Sequence, residues 1–228
     1  MDKIHEKACC MLLNEKWEQY IKAENANFVY FVDISSMPDD ITAGYPCAVL
    51  FGRALPQEFL TKQRQGLPNE VDYFVKGEHD MDALADRLAE KLTDSGYPSL
   101  SQSEKANFDN NRFHGETRSS FLPHKTIALM AGFGFIGKNN LIINSQYGCG
   151  VVLGTVLTAA PFDCVYQAPE EPKCGNCTAC VDVCGAHALR GTTWTPKTGR
   201  DDIMDVSLCN CALACMLHCP YTVRYANG

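Results

Sequence analysis

The sequence predicts an α/β layer built on a mixed sheet, followed by a small cysteine-rich unit. Three observations predict it. Segments with helical and with strand periodicity interleave as far as Pro161 without a regular βαβ rhythm. Beyond Pro161, Pro, Gly and Cys rise and the apolar periodicity fades. Eight of the 13 Cys then fall between residues 174 and 219. A chain of 228 residues suits one sizeable core with an appendage rather than two full-sized domains. We place the boundary between an α/β domain, residues 1–165, and a small domain, residues 166–228, too poor in apolar periodicity to rest on its own core.

Taken in order, Ile4, Ala8, Met11, Leu12, Trp17 and Ile21 recur near helical spacing and predict an amphipathic first helix. Phe28-Val29-Tyr30-Phe31-Val32 and Ala48-Val49-Leu50-Phe51 are β-branched and aromatic runs suited to buried strands. Asp80 is expected to cap a helix whose core face is Met81, Leu84, Leu88 and Leu92, and which ends at Gly96. The polar stretch from Leu100 to Gly115 reads as a loop. A helix is expected from Pro123 to Ala131, then strands at Leu141-Ile142-Ile143 and from Val151 to Leu157.

Composition narrows the function. Hydrophobic residues at 46% and charged residues at 21% are ordinary for a globular chain and exclude a disordered one. With 20 basic and 27 acidic residues the net charge is −7, which argues against a protein that grips phosphate backbone, so no nucleic-acid partner is expected. A disulfide framework would suit a secreted chain. Here the first residues, Met1 to Lys7, are charged and lack an apolar signal core, and no run of 18 apolar residues occurs. We therefore expect a cytoplasmic protein without membrane contact, whose thiols are reduced and available to metal. Cys9, Cys10, Cys47, Cys149 and Cys164, outside the cysteine runs, read as small buried hydrophobes.

Cys174-x2-Cys177-x2-Cys180-x3-Cys184 has the spacing of a bacterial ferredoxin run. Three closely spaced thiolates reach three corners of one cube, and the fourth points to a second cube. The Pro that usually follows the fourth cysteine is Gly185 here. The second run, Cys209-x-Cys211-x3-Cys215-x3-Cys219, does end in Pro220. Reciprocal ligation assigns Cys174, Cys177, Cys180 and Cys219 to one [4Fe–4S] cluster, and Cys184, Cys209, Cys211 and Cys215 to the other. Structural zinc is the rival reading. It needs four ligands, arranged as two knuckles across a longer gap.

Ala131-Gly132-Phe133-Gly134-Phe135-Ile136-Gly137-Lys138-Asn139 matches two phosphate-loop patterns, the dinucleotide fingerprint and nearly a Walker loop. Both patterns require a preceding strand and a following helix, and the predicted order here is the reverse. Asn139 also stands where a Walker loop needs a hydroxyl. We reject nucleotide binding by this segment. Its glycines describe a backbone that something approaches closely, or else a tight helix-to-strand turn.

The segment from Leu122-Pro123-His124-Lys125 through Asn140, then Leu157-Thr158, the ferredoxin run, and Cys219-Pro220-Tyr221-Thr222, in that order, resembles the epoxyqueuosine reductase family. More closely, it resembles short double-cluster relatives of that family found in anaerobes. The resemblance covers residues 121–225 and implies a cobalamin-binding, nitroreductase-like α/β domain fused to a ferredoxin-like module with two [4Fe–4S] clusters. It also implies a corrinoid held base-off between the domains and reduced by one cluster. Gly132, Gly134, Gly137, Lys138 and Asn139, with Thr158, are the implied corrinoid contacts. The family's acid, an Asp before this helix, is replaced by Arg118, with Glu116 the nearest carboxylate. The family's tRNA-processing enzymes also continue into a helical-repeat region, whereas the given sequence ends at Gly228, so reduction of a tRNA base is not expected. His124 and Lys125 are candidate proton donors; the rival reading makes them solvent-facing residues of a helix N-terminus.

The expected function is an iron–sulfur oxidoreductase that passes electrons from two clusters to a corrinoid, for reduction of a small substrate or for activation of a corrinoid protein. Its electron donor would be of ferredoxin or flavodoxin type. The alternatives are a ferredoxin-like electron carrier without corrinoid, and a tRNA epoxyqueuosine reductase lacking the accessory region.

Overall fold

The computed structural model describes the backbone of residues 3–228 and side chains from Met11 onward. The expected core positions Ile4 and Ala8, and the thiols of Cys9 and Cys10, lie outside the described residues. The chain runs α1 (Lys3–Ala23), β1 (Phe28–Asp33), α2 (Asp39–Thr42), β2 (Cys47–Ala54), α3 (Gln57–Arg64), α4 (Tyr73–Asp94) and β3 (Ser99–Ser101). It continues through α5 (Glu104–Asp109), β4 (Phe113–His114), β5 (Ser119–Ser120), α6 (His124–Met130), β6 (Phe135–Ile136), β7 (Ile142–Ile143) and β8 (Val151–Thr158). Four short helices finish it: α7 (Ala179–Asp182), α8 (Arg200–Ile203), α9 (Ala214–Leu217) and α10 (Pro220–Ala226).

The main sheet has the order β1-β2-β8-β3. Every neighbouring pair is antiparallel, with Phe28 opposite Gly52, Cys47 opposite Thr158 and Ser99 opposite Thr158. The expected mixed sheet is thereby corrected. The return from β1 to β2 over residues 34–46 is short and holds only α2, whereas a parallel pair needs a long crossover. Parallel character is confined to one bridge between Val32 and Val165 at the β1 edge.

Side chains alternate along a strand. Strand β2 therefore sends Cys47, Val49 and Phe51 into a core with Met81, Leu84, Leu88 and Leu92 of α4, while Ala48 and Leu50 meet Ile127 and Ala128 of α6. Burial on both faces explains why this strand reads as a continuous apolar run. Trp17 and Ile21 of α1 are buried as expected, but Met11 and Leu12 are exposed. Helix α4 starts earlier than its apolar face suggests. Asp72, not Asp80, is the cap, accepting the N–H groups of Phe74 and Val75. Asp80 lies inside the helix and pairs with Arg53 and Lys76.

The cysteine-rich segment joins the core of the α/β layer. Met216, Leu217 and Cys219 pack in the same cluster as Phe59 and Leu60. The Gln57 amide donates to the Tyr225 carbonyl at 2.8 Å, and the Tyr225 hydroxyl to the Leu55 carbonyl at 3.1 Å. Cys47 and Cys164, expected as free buried thiols, form a disulfide across 117 residues. Val165 adds to the sheet edge through hydrogen bonds with Phe31 and Asp33, and Asp33 lies opposite Cys47, so the edge pairing brings the two cysteines together.

The polar stretch after Leu100 is not a plain loop. It forms β3 and α5 and is hydrogen-bonded inward: Ser101 and Ser103 donate to Asp86, Gln102 to the Thr155 hydroxyl, and Asn107 to the Gln102 carbonyl. His124, on the first turn of α6, shares a 2.7 Å hydrogen bond between its Nδ1 and the same Thr155 hydroxyl. Burial lowers the His124 pKa from 6.5 to about 4. The folded value lies below the unfolded one, so the unfolded chain takes up this proton first as pH falls. Stability is therefore lost as pH drops from 6.5 towards 4. Urea unfolding across that range should show His124→Gln lacking on the order of 3 kcal/mol of this acid-side loss. Parallel pH profiles for the two proteins would contradict the assignment.

Candidate metal centre

Cys174, Cys177, Cys180 and Cys219 ring a cavity of about 170 Å³, completed by Lys138, Asn139, Ile143, Lys173, Pro220 and Tyr221. The local chain explains the ring. A turn closed from the Cys177 N–H to the Cys174 carbonyl brings the first two thiols round, and Cys180 follows on α7. Cys219 is the N-cap of α10, with Pro220 pre-set at the first helical position. Burial, and then the neighbouring Cys174, Cys219 and Cys177, push the Cys180 thiol up to about 11. Cys219 is held below the ordinary thiol value, first by the Cys149 thiol beside it and also by the N–H groups of Tyr221 and Thr222.

The other four cysteines form a second neighbourhood. Cys215 is pushed up to about 11 by burial, then by Cys180, Cys209 and Cys184. Cys211 is raised by burial and by Cys209. Its φ of 55° is left-handed, as is that of Leu213 at 58°, conformations that cost a non-glycine residue about 1–2 kcal/mol each. Among the described residues no three His, Cys, Asp or Glu side chains stand together as ligands of one metal ion. An all-thiol donor set, four thiols of which ring a shared space, fits iron–sulfur cubes.

The glycine-rich turn lies against this centre, but not as an open cradle. The order is α6, then glycines, then β6 and β7, which agrees with rejecting a phosphate loop. Gly132 terminates α6 at φ 66°, with the Phe133 N–H returning to the Ala128 carbonyl. A Cβ at Gly132 would meet Gln167 at 2.0 Å, and one at Gly134 would meet the Ile143 carbonyl oxygen at 2.1 Å. At Gly137 it would meet Ile143 Cδ1 at 2.4 Å. The chain itself fills the space that side chains at these glycines would take. Thr158 is fully buried, with its hydroxyl bonded to Ser99 and to the Ala160 N–H. At these glycines the close approach is made by the chain's own atoms, which lends no support to a corrin lying on bare glycine backbone.

The turn instead clamps the cysteine loops. Lys138 Nζ donates to the carbonyls of Gly175 (2.8 Å) and Cys177 (3.2 Å). The buried Asn139 amide reaches Cys149 Sγ and the Cys215 carbonyl, each at 3.4 Å. Cys149, read from the sequence as a small hydrophobe, is buried but polar in its contacts. Its sulfur is 3.2 Å from the Thr222 hydroxyl. No spacing signal marked it.

His124 and Lys125 are half-buried, with their polar atoms hydrogen-bonded to the protein. Lys125 Nζ donates to the carbonyl and side-chain oxygens of Asn140, at 3.1 and 2.8 Å. Burial, and then the Arg200 charge, lower its pKa to about 8. Glu116 and Arg118 are exposed.

No family model matches the chain. Over 73 residues it is 40% identical to the epoxyqueuosine reductase of Staphylococcus aureus (strain NCTC 8325 / PS 47), a match that spans 31% of this chain and 18% of that protein. Among solved structures, an epoxyqueuosine reductase with a tRNA stem loop carrying epoxyqueuosine aligns with a TM-score of 0.60 at 18% identity, covering 93% of this chain and 66% of that one. A reductive dehalogenase whose structure suggests a mechanism for B12-dependent dehalogenation aligns at 0.55 and 16% identity, covering 89% and 32%. The chain thus matches less than two thirds of the length of each of these relatives. By sequence over about a third of its length, and by fold over nearly all of it, this chain is similar to the epoxyqueuosine reductases.

Proposed function

We propose that this chain is an iron–sulfur reductase in which two [4Fe–4S] clusters, held by residues 166–228, pass electrons to an acceptor bound by the α/β layer of residues 1–165. The observation that carries the reading is the pair of adjoining all-thiol groups braced by a turn of that layer. Cys174, Cys177, Cys180 and Cys219 would hold one cluster, and Cys184, Cys209, Cys211 and Cys215 the other. Bound there, the clusters supply single-electron transfer. Lys138 and Asn139 fix the ligand loops, and Ile143 and Tyr221 line the first site.

The likeness to a dehalogenase of B12-dependent chemistry supports a corrinoid as the acceptor. The glycine turn lends no support to it, so no step is derived through a corrinoid. The tRNA stem loop in a protein of similar fold favours a second reading, a tRNA-base reductase. It also withdraws the expectation, drawn from net charge and from the want of a repeat region in the given sequence, that nucleic acid is no partner. A sum of charges does not describe a local surface.

Protein purified without oxygen should carry about eight iron and eight acid-labile sulfide per chain. Stoichiometric zinc, or about four iron, would defeat the two-cluster assignment. Gly134→Val should lower the iron content although no cysteine is changed, because the added Cβ collides with the Ile143 carbonyl and opens the hairpin that clamps the ligand loops. Full iron loading in that variant would deny the turn its bracing role. Cobalamin added to loaded protein should give a saturable base-off spectral change if a corrinoid is the acceptor; an unchanged spectrum would leave the carrier and tRNA readings. Turnover of an epoxyqueuosine-bearing stem loop then separates those two.

A further inference from the structure

We propose that Arg118, Lys125 and Arg200 form a binding site for an oxyanion, a carboxylate or a phosphate, beside the second cysteine group. That the anion belongs to the substrate rests on the reductase reading; the site itself does not.

The chain is acidic, with 27 acidic against 20 basic residues, so cations can readily find carboxylate partners. Lysines on its helices do so one turn away, as in Lys22–Glu18, Lys62–Glu58, Lys76–Asp80 and Lys105–Asp109. The three proposed residues come from separate elements and behave otherwise. Arg118 lies in the turn between β4 and β5, Lys125 on the first turn of α6, and Arg200 at the start of α8. Among the described residues, no carboxylate pairs with Arg118 or Lys125. Arg200 has only the highly exposed Asp201, at 3.8 Å.

Hydrogen bonds set the elements that carry the three side by side. Arg200 Nη1 donates to the Arg118 carbonyl at 3.2 Å, and Arg118 Nη1 donates to the Cys209 carbonyl at 3.2 Å. Lys125 binds Asn140, whose amide reaches Met204 Sδ at the end of α8 at 3.1 Å. Arg200 also lies near enough for its charge to help lower the Lys125 pKa, after burial. Arg200 Nε is buried and has no hydrogen-bond partner. Gathering cations without a counter-charge, and burying an unpaired N–H, both cost free energy. An oxyanion offsets both, and the planar guanidinium fork suits its geometry.

The rival explanation is that these cations balance the charge of the second cluster. It accounts for Arg118, which lies close enough to Cys211 to favour its thiolate. It leaves the buried Arg200 Nε, with only the exposed Asp201 at 3.8 Å, unexplained. Calorimetric titration of iron-loaded protein with inorganic phosphate, and separately with malonate, at constant ionic strength, decides between them. At least one anion should saturate at one per chain. Lys125→Gln and Arg200→Gln should each weaken it by about tenfold while retaining iron, and Lys105→Gln should not weaken it. Phosphate alone, malonate alone or both binding would identify the class of anion accepted. The proposal is overturned if neither anion saturates, if both variants bind as the parent does, or if iron is lost from the variants in step with anion binding. Should Lys125→Gln fail to fold, Arg200→Gln alone decides.

Discussion

Thiols gathered in a small space repel one another once ionised, and burial raises the cost of ionising them. Eight of them fall within residues 174–219 here. The upward shifts at Cys180 and Cys215 are the signature of that crowding, since each is raised by burial and then by three other cysteines. Such a set is held in place by the surrounding protein, or by a metal cluster that takes the thiolates as ligands. The helices that carry it, α7 and α9, are four residues long and could not persist alone. The bracing comes from the α/β layer.

That layer meets the demand with its sheet and one hairpin. Helix α4 covers one face of the sheet and α6 the other, so β2 and β8 are fixed from both sides. Helix α6 then ends at Gly132, and the chain turns directly into the hairpin of β6 and β7. The bare positions at Gly134 and Gly137 let this hairpin close on Ile143. A closed hairpin presents Lys138 and Asn139 to the cysteine loops at a fixed distance from the sheet. Met216, Leu217 and Cys219 complete the docking by entering the main core.

The parts of this arrangement that were legible in the sequence are those encoded by near neighbours. Strand β1, the core face of α4, helix α6 and the spacing of the cysteine run are all patterns within a few residues. What escaped depends on contacts between distant residues. The disulfide of Cys47 and Cys164 joins positions 117 residues apart and leaves no spacing signal. The start of α4 at Asp72 was hidden because its first turns carry few core residues, and the polar stretch after Leu100 was misread because its partners Asp86 and Thr155 lie elsewhere in the chain. The glycines of the turn are open, from the sequence, to two readings, a close approach or a tight helix-to-strand turn. The approaching atoms belong to Ile143 and Gln167 rather than to a ligand, a distinction that composition cannot carry.

A consequence follows from where the turn begins and ends. Its Asn139 amide touches the Cys215 carbonyl in one cysteine group and Cys149, beside Cys219, in the other. Its next residue, Asn140, holds the Lys125 ammonium. One short turn therefore contacts both cysteine groups and a half-buried cation on the sheet-covering helix. Hydrogen bonds weaken steeply as their geometry is spoiled. A displacement of α6 cannot be absorbed at Lys125 alone; it alters the contacts at Asn139 as well. The position of that helix and the geometry of the thiol groups are thus set together, and a ligand that ordered one would act on the other through this turn.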